Sequence, residues 1–353
     1  MNPSHRTNGD RLNTIIKLAF TAAVLLAIAY KFDFGAALRL LATVPVGALF
    51  VCLLLLLLQA WLAAARLARI VSLFGHRLGL AASYRLTLQG MFFNQAFISF
   101  LGGDAFRIWR IHRSRVSLAD AASAVVLDRV VGFAVNHAAL VAMLPWVLGR
   151  VENAAIAWAL VALAVGGLAG VALLLLLGAS GTRIALINRL PAPWRTSRAA
   201  LLSIEMATIG RHVLEARRRL SAIAALSALV ALVNCLVFFA ILRGLDVAFP
   251  LALTCALLVP GIMEIALLPL SIAGWGLREG AALLGFATLG LGSEIALAAS
   301  VAFGALGLAV GLLGGIAWLF DDHGRAAASP ATAGAMEPAA SHAWPRSESR
   351  SRG

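Results

Sequence analysis

Apolar runs of about 20 residues recur along this sequence, and the short segments between them hold most of its arginines. A helix crosses a hydrocarbon core about 30 Å thick with roughly 20 apolar residues. Of the 353 residues, 61% are hydrophobic and 13% are charged, whereas soluble domains carry about 25% charged residues. The pattern predicts an all-α, polytopic bundle of membrane helices, and it leaves little chain for a folded soluble domain.

Three regions follow from the order of these runs. Residues 1–13 are polar and basic and are expected in the cytoplasm, 14–320 form the transmembrane domain, and 321–353 are expected to be a disordered tail. The run 14–30 also has the outline of a signal peptide, but the many later runs favour an uncleaved first helix. The candidate crossings are 14–30, 44–65, 119–148, 154–178, 221–242, 251–271, 279–292 and 295–320, of which 279–292 is short for a crossing. The number of full crossings and the side of the C-terminus stay open.

The net charge of +13 would suggest nucleic acid in a soluble protein. Here the basic residues flank apolar runs, where orientation and lipid headgroups explain them, so no nucleic-acid partner is expected. Arginine makes up 27 of the 29 basic residues; its planar fork suits phosphate, although a GC-rich genome would give the same bias. The segment 179–220 carries eight arginines with apolar residues at helical spacing, which favours two amphipathic helices on the cytoplasmic surface.

One apolar segment, 86–103, differs from the others because it contains Gln89, Asn94 and Gln95 and has arginines on both flanks. A full crossing would place one basic flank outside, against the positive-inside bias. The segment is therefore predicted to be a re-entrant loop or broken helix, with an ordinary crossing as the alternative. Irregular backbone is tolerated at membrane depth where protein or a water-filled cavity surrounds it.

Residues 99–107 (SFLGGDAFR) have a partial echo at 271–279 (SIAGWGLRE). Each copy has a serine, two glycines, and then an arginine and a carboxylate at the start of the next segment. In secondary transporters such paired interruptions point to the binding site, although one short match can also arise by chance. Glycine N–H groups, a helix N-terminus and an arginine would together hold an anionic headgroup. The residues concerned are Gly102, Gly103, Arg107, Gly274, Gly276 and Arg278.

Charged residues inside apolar spans usually face a cavity or a partner. Asp128 and Arg129 are adjacent and point about 100° apart on a helix, so each is expected to meet a charge from another helix. The candidate pairs are Arg129 or Arg107 with Glu279, and Arg278 with Asp128.

Glu264 follows Pro260 by four residues. It is either a proton-coupling carboxylate or a hydrogen-bond partner for backbone that the proline frees. His137 is expected to be a hydrogen-bonded core residue. The sequence has no phosphate-binding loop and no zinc-ligand spacing, so neither metal nor cofactor is expected and no catalytic constellation emerges.

The segments 93–107, 127–129 (LDR) and 269–280 (PLSIAGWGLREG) resemble the flippase-like, lysylphosphatidylglycerol synthetase transmembrane-domain family. That family typically shows a Gly-rich motif with an acid and an arginine, an acid–arginine pair in the next helix, and a final Pro-x-Ser/Thr, Gly-rich, Arg-Glu motif. The resemblance covers about 14–320. It implies a multi-pass protein of the bacterial inner membrane that moves or positions a lipid between leaflets. The cytosolic aminoacyltransferase domain of two-part relatives is expected to be absent, and with it enzyme activity.

The leading hypothesis is a translocase for an anionic phospholipid, glycolipid or isoprenoid-type lipid. Arg107, Arg129 and Arg278 would hold the phosphate, and Asp104, Asp128 and Glu279 would hold those arginines in place. One alternative is a scaffold that docks lipid-synthesis enzymes through 179–220. The other is a membrane-embedded lipid transferase that uses its carboxylates. Membrane lipids are the expected partners, and a homo-oligomer is a further candidate.

Overall fold

The computed structural model describes residues 34–96, 102–151, 153–179, 217–267 and 274–320. The predicted first crossing at 14–30, most of the basic segment 179–220 and the tail 321–353 lie outside the described residues. The same holds for Ser99 and Ser271, which begin the two copies of the sequence echo.

The described residues form eleven α-helices and contain no strand, which confirms the predicted all-α class. In chain order these helices are α1 Phe34–Leu41, α2 Val46–Leu73, α3 Leu80–Ala96, α4 Gly102–Arg113, α5 Leu118–Leu148, α6 Ala154–Ala179, α7 Arg217–Gly244, α8 Phe249–Leu257, α9 Val259–Ala266, α10 Leu277–Ala287 and α11 Ser293–Leu319.

Six stretches within the described part of the chain are long and apolar enough to cross a membrane. They lie in α2, α5, α6, α7, the joined α8 and α9, and α11. The run 279–292, noted above as short for a crossing, corresponds to α10, which has only 11 residues and spans about 17 Å at 1.5 Å per residue. Ala282, Leu283 and Phe286 are buried where α10 packs on α9 and α11, whereas Leu284 is 67% exposed. Hydropathy alone does not distinguish these two environments.

Helices α3 and α4 form an antiparallel hairpin interrupted between residues 96 and 102. Arg107 packs on Gly90, and the Gly103 N–H donates to Asn94 Oδ1 at 3.0 Å, so the pairing runs in opposite directions along the two helices. With 12 residues, α4 is about 18 Å long, too short to cross. This agrees with the predicted broken helix.

A second hairpin of the same kind joins α9 to α10. Gly274 lies against Ala266 and Gly285 lies against Leu258, which again sets the two helices antiparallel. Gly274 and Gly276 have φ of +78° and +84°, a region that glycine adopts without strain. The two copies of the echo therefore both sit at interrupted hairpins. They differ in detail, since Arg278 is the second residue of α10 and Arg107 is the sixth of α4.

Small residues on α11 allow the first hairpin to pack closely. A methyl group at Gly314 would overlap the backbone of Leu88, and one at Gly315 would lie 2.8 Å from the Phe92 ring. Close approach over glycine is a common way for membrane helices to associate. Helices α2 and α7 pack extensively on each other as well. The two hairpins are thereby held around one interior space.

Candidate functional site

A cavity of about 370 Å³ lies inside the bundle. Four arginines reach it, each from a different helix: Arg66 from α2, Arg107 from α4, Arg129 from α5 and Arg278 from α10. Three of them are buried, and the Arg129 side chain is 34% exposed. Because charge inside a bundle is costly, four guanidiniums around one space indicate a binding or transport function.

Two of these arginines form two-point ion pairs between helices. Arg66 donates to both carboxylate oxygens of Asp128, at 2.7 and 3.1 Å. Arg129 donates to both oxygens of Asp104, at 2.9 and 3.0 Å. Asp128 and Arg129 thus meet charges from different helices, as their angular separation predicted.

The third pair lies within α10 itself. Arg278 Nη2 donates to Glu279 Oε1 at 2.5 Å, and the other oxygen of Glu279 accepts the Gly276 N–H at 2.6 Å. The Ser300 hydroxyl adds a hydrogen bond from α11. Glu279 therefore caps the N-terminus of α10 and also binds the adjacent Arg278.

The predicted pairs of Glu279 with Arg129 or Arg107, and of Asp128 with Arg278, are wrong. The Arg278 side chain is long enough to fold back onto the adjacent carboxylate at a helix N-terminus. Asp128 is paired with Arg66 instead. In the sequence, Arg66 only follows the apolar run 44–65.

Arg107 differs from the other three arginines. Its Nη1 lies 3.7 Å from Asp104 Oδ1 and 3.9 Å from Asp128 Oδ2, too far for hydrogen bonds. Its Nε is buried and has no hydrogen-bond partner in the described part of the chain. Arg107 thus balances its charge against two carboxylates that other arginines already hold, and it keeps donor capacity at the cavity.

Three of the arginines pack against a glycine of a neighbouring helix. A Cβ added at Gly90 would lie 2.5 Å from Arg107 Nε, and one at Gly132 would lie 3.2 Å from Arg66 Nη1. A Cβ at Gly304 would overlap Arg278 Nη2. We call Gly90, Gly132 and Gly304 the arginine seats. None of them was singled out from the sequence, because helix register and helix packing decide which glycine meets which arginine.

The four glycines predicted to bind a headgroup, Gly102, Gly103, Gly274 and Gly276, do not line the cavity. The N–H groups of Gly103 and Gly276 are bonded within the protein. A methyl group at Gly103 would overlap the Gly90 carbonyl oxygen. In the structure these glycines shape the two hairpins. The residues that reach the cavity are the arginines.

The rest of the polar lining is neutral. Five carboxamides and two hydroxyls contribute to it: Gln59, Asn94, Gln95, Asn136, Asn234, Thr87 and Ser227. Several bond to the protein through one end of the amide. Gln59 Nε2 donates to Asn234 Oδ1 at 3.0 Å, and Gln95 Nε2 donates to the Gly307 carbonyl at 3.0 Å. Of the polar residues flagged in 86–103, Gln89 is buried away from the cavity.

A buried histidine–carboxylate pair lies behind the cavity wall, since its chain neighbours Asn136 and Met263 line the cavity. His137 Nδ1 lies 3.0 and 3.1 Å from the two oxygens of Glu264, and Nε2 lies 2.8 Å from the Ala164 carbonyl. Because a carbonyl only accepts, Nε2 carries a proton, and one further proton is shared between Nδ1 and the carboxylate. Asn136 Nδ2 donates to the Pro260 carbonyl, and the Glu264 carboxylate faces His137.

Residues 14–315 match the protein family described as Lysylphosphatidylglycerol synthase TM region. The chain belongs to this family. The match includes the four cavity arginines and their three carboxylate partners, and it confirms the family that the sequence motifs suggested. It identifies a multi-pass membrane protein linked to lipid metabolism. A search of curated proteins gave no match.

In this family member, Arg66 is the site residue that the sequence motifs did not identify. It stands at the end of an apolar run, where an arginine normally marks the membrane boundary. The run 44–65 was predicted to end before it, but α2 continues to Leu73 and carries Arg66 inside the bundle. In the described segments, no group of three or more His, Cys, Asp or Glu side chains is placed to hold a metal ion.

Proposed function

We propose that this protein is an inner-membrane lipid translocase that carries an anionic headgroup through the cavity and that binds its phosphate at Arg107. The supporting observation is the buried Arg107 guanidinium, which lines the cavity and whose Nη1 lies too far from Asp104 and Asp128 to hydrogen-bond to either. A buried charged donor left without a partner costs about 1–3 kcal/mol or more. A phosphate oxygen at this position would remove that cost.

The charge balance of the site favours an anion. Arg66, Arg107, Arg129 and Arg278 face three carboxylates, Asp104, Asp128 and Glu279, which leaves one formal positive charge. A phosphodiester carries one negative charge and would neutralise it. Because every carboxylate is already held by an arginine, binding would leave no acid unpaired.

The two interrupted hairpins supply a basis for movement. Both bring an arginine to the cavity from a helix too short to cross the membrane. Broken helices at a central site are typical of secondary transporters, in which one part rocks against another. In this proposal the headgroup passes between the hairpins while the acyl chains stay in the lipid.

The test is reconstitution of the purified chain in liposomes with a fluorescent phosphatidylglycerol and measurement of its exchange between leaflets. We expect Arg107→Gln to slow this exchange at least tenfold. Arg113→Gln is the matched control, because it removes the same charge from the same helix at an exposed position outside the cavity. Exchange at the wild-type rate in Arg107→Gln would refute the proposal.

The proposal assigns no chemical reaction to the chain. In the described residues, the candidate carboxylates are tied up in pairs with arginine or histidine, which leaves them poorly placed to act as nucleophiles. Mass spectrometry of lipid before and after incubation with the protein tests this. A covalently altered lipid would favour the transferase alternative.

The proposed orientation puts the N-terminus in the cytoplasm of a bacterial cell, because basic residues concentrate on the cytoplasmic side of membrane helices. Reporter fusions at the N-terminus would show its side. Activity only in a periplasmic reporter would reverse the orientation.

A further inference from the structure

We propose that the headgroup taken up by this cavity is a phosphate bearing neutral hydroxyl groups, a polyol or a sugar, and that headgroups bearing an ammonium group are disfavoured. This rests on the proposed function, in which the cavity binds an anionic lipid. Three observations carry it: the state of the carboxylates, the neutral polar lining and the size of the cavity.

The carboxylates around the cavity already have both of their oxygens engaged by other donors. Asp128 is the carboxylate among the described lining residues, and both of its oxygens accept from Arg66. Both oxygens of Asp104 accept from Arg129, and the two oxygens of Glu279 accept from Arg278 and from the Gly276 N–H. An ammonium group would meet four guanidiniums and no free carboxylate. Repulsion between like charges at low local dielectric opposes its entry.

The neutral lining suits hydroxyl groups. Gln59 and Gln95, which line the cavity, use their amide nitrogens within the protein, which leaves their side-chain carbonyl oxygens able to accept. Asn94 and Asn234 use their oxygens, which leaves their amide nitrogens as donors. A hydroxyl both donates and accepts, so a polyol can satisfy both kinds of group, whereas an ammonium only donates.

The volume of the cavity fits a headgroup. At about 370 Å³ it lies near the lower end of small-molecule sites, which run from about 300 to 1,000 Å³. A phosphate with a glycerol or a single sugar ring fills a space of that order. Two acyl chains do not fit, so they would remain outside in the lipid.

The lipid in the family's name offers a direct test of this inference. A lysyl ester of phosphatidylglycerol carries two ammonium groups on the headgroup. The arginine-lined cavity has no partner for either of them. The expected substrate is therefore the hydroxylated phosphodiester without the aminoacyl group.

The experiment measures binding of four probes to the purified full-length chain in detergent by native mass spectrometry. Three are lipids with identical acyl chains: phosphatidylglycerol, lysylphosphatidylglycerol and phosphatidylmethanol, which has the same charge as phosphatidylglycerol but no hydroxyl. The fourth is soluble glycerol phosphate. We expect phosphatidylglycerol to bind at least tenfold more tightly than lysylphosphatidylglycerol and about threefold more tightly than phosphatidylmethanol. Glycerol phosphate should bind more weakly than any anionic lipid, because it lacks the chains.

A double variant, Gln59→Leu with Asn234→Leu, isolates the hydroxyl contacts. The two amides bond to each other, so replacing both leaves neither one unpaired. Binding of phosphatidylglycerol should fall to the level of phosphatidylmethanol, while binding of phosphatidylmethanol stays unchanged and shows that the fold is intact.

The outcomes separate this inference from the proposed function. Lysylphosphatidylglycerol binding as tightly as phosphatidylglycerol would overturn the exclusion of ammonium groups, yet leaflet exchange of either lipid would still support a translocase. Equal binding of phosphatidylglycerol and phosphatidylmethanol would overturn the hydroxyl preference. Binding of glycerol phosphate without binding of any lipid would refute the translocase and leave the headgroup chemistry standing. No binding of any probe would refute both.

Discussion

The arginine seat at Gly304 offers the sharpest test of how the site is built. Gly304 lies on α11 against the end of the Arg278 side chain, which sits over the Trp275 ring at 4.9 Å. A Cβ at position 304 would overlap Arg278 Nη2 and lie 2.9 Å from Trp275 Cη2. In Gly304→Ala the guanidinium must therefore move away from α11, and we expect this movement to weaken its ion pair with Glu279.

The expected cost can be worked out from these contacts. Breaking a buried ion pair by removing one partner costs about 3–5 kcal/mol. Here the lower end applies, since Glu279 keeps the Gly276 N–H and the Ser300 hydroxyl. Alanine is more favourable than glycine inside a helix by about 1 kcal/mol, which offsets part of this cost. The net loss of folding stability is then about 2 kcal/mol, and a loss of that size in headgroup binding would be about thirtyfold in affinity.

The assay compares Gly304→Ala with Gly280→Ala, in thermal unfolding and in phosphatidylglycerol binding. Gly280 follows the ion pair directly on α10, and a Cβ there meets nothing within 4 Å. It should therefore be neutral or stabilising by up to about 1 kcal/mol. If both variants unfold and bind alike, the seat does not hold Arg278 and the reasoning fails.

Three further perturbations test other parts of the site. Arg66→Gln leaves Asp128 free to pair with Arg107, 3.9 Å away, which would occupy donors proposed to bind phosphate, so phosphatidylglycerol binding should weaken at least tenfold; unchanged affinity would contradict the role given to Arg66. Gly167→Ala would overlap the His137 imidazole, whereas Gly170 faces open space, so only Gly167→Ala should lower the Tm. Glu264→Gln keeps a hydrogen bond to the imidazole but cannot take up the shared proton. In proteoliposomes with an imposed pH gradient, it should abolish any dependence of lipid exchange on that gradient; a retained dependence would exclude Glu264 from proton coupling.

The long helices were largely predictable because a helix that crosses a membrane needs a long apolar run. The runs 119–148 and 154–178 coincide with α5 and α6 to within a residue or so. At 279–292 hydropathy left the assignment open, because the run is short for a crossing and several apolar residues of α10 are covered by other helices. Composition cannot tell a helix buried in protein from one facing lipid when both are apolar.

The pairing of charges was less predictable than their importance. Asp128 and Arg129 were selected from the sequence because a charged side chain inside a membrane span is costly. The structure places both at the site. Which partner each one meets depends on how α2, α4 and α5 are rotated against each other. No local sequence pattern encodes that rotation. Arg66 follows an apolar run directly, and the signal that could have identified it is that this run stops before the helix α2 does. The arginine seats have the same origin in tertiary packing.

In the proposed translocase, the first hairpin moves against α5. The positions of the ion pairs on these two parts suggest how headgroup binding is coupled to that movement. The Arg129–Asp104 pair joins α5 to the first hairpin, whereas Arg107 and its seat Gly90 both belong to that hairpin. Movement of the hairpin against α5 would separate Arg129 from Asp104 and leave Arg107 in place. A phosphate held by Arg107 can accept from Arg129 as that pair opens, which offsets the cost of a buried unpaired charge. An empty cavity has no such substitute. The loaded protein would therefore rearrange more easily than the empty one, and this is the condition that a ligand must meet to shift a conformational equilibrium.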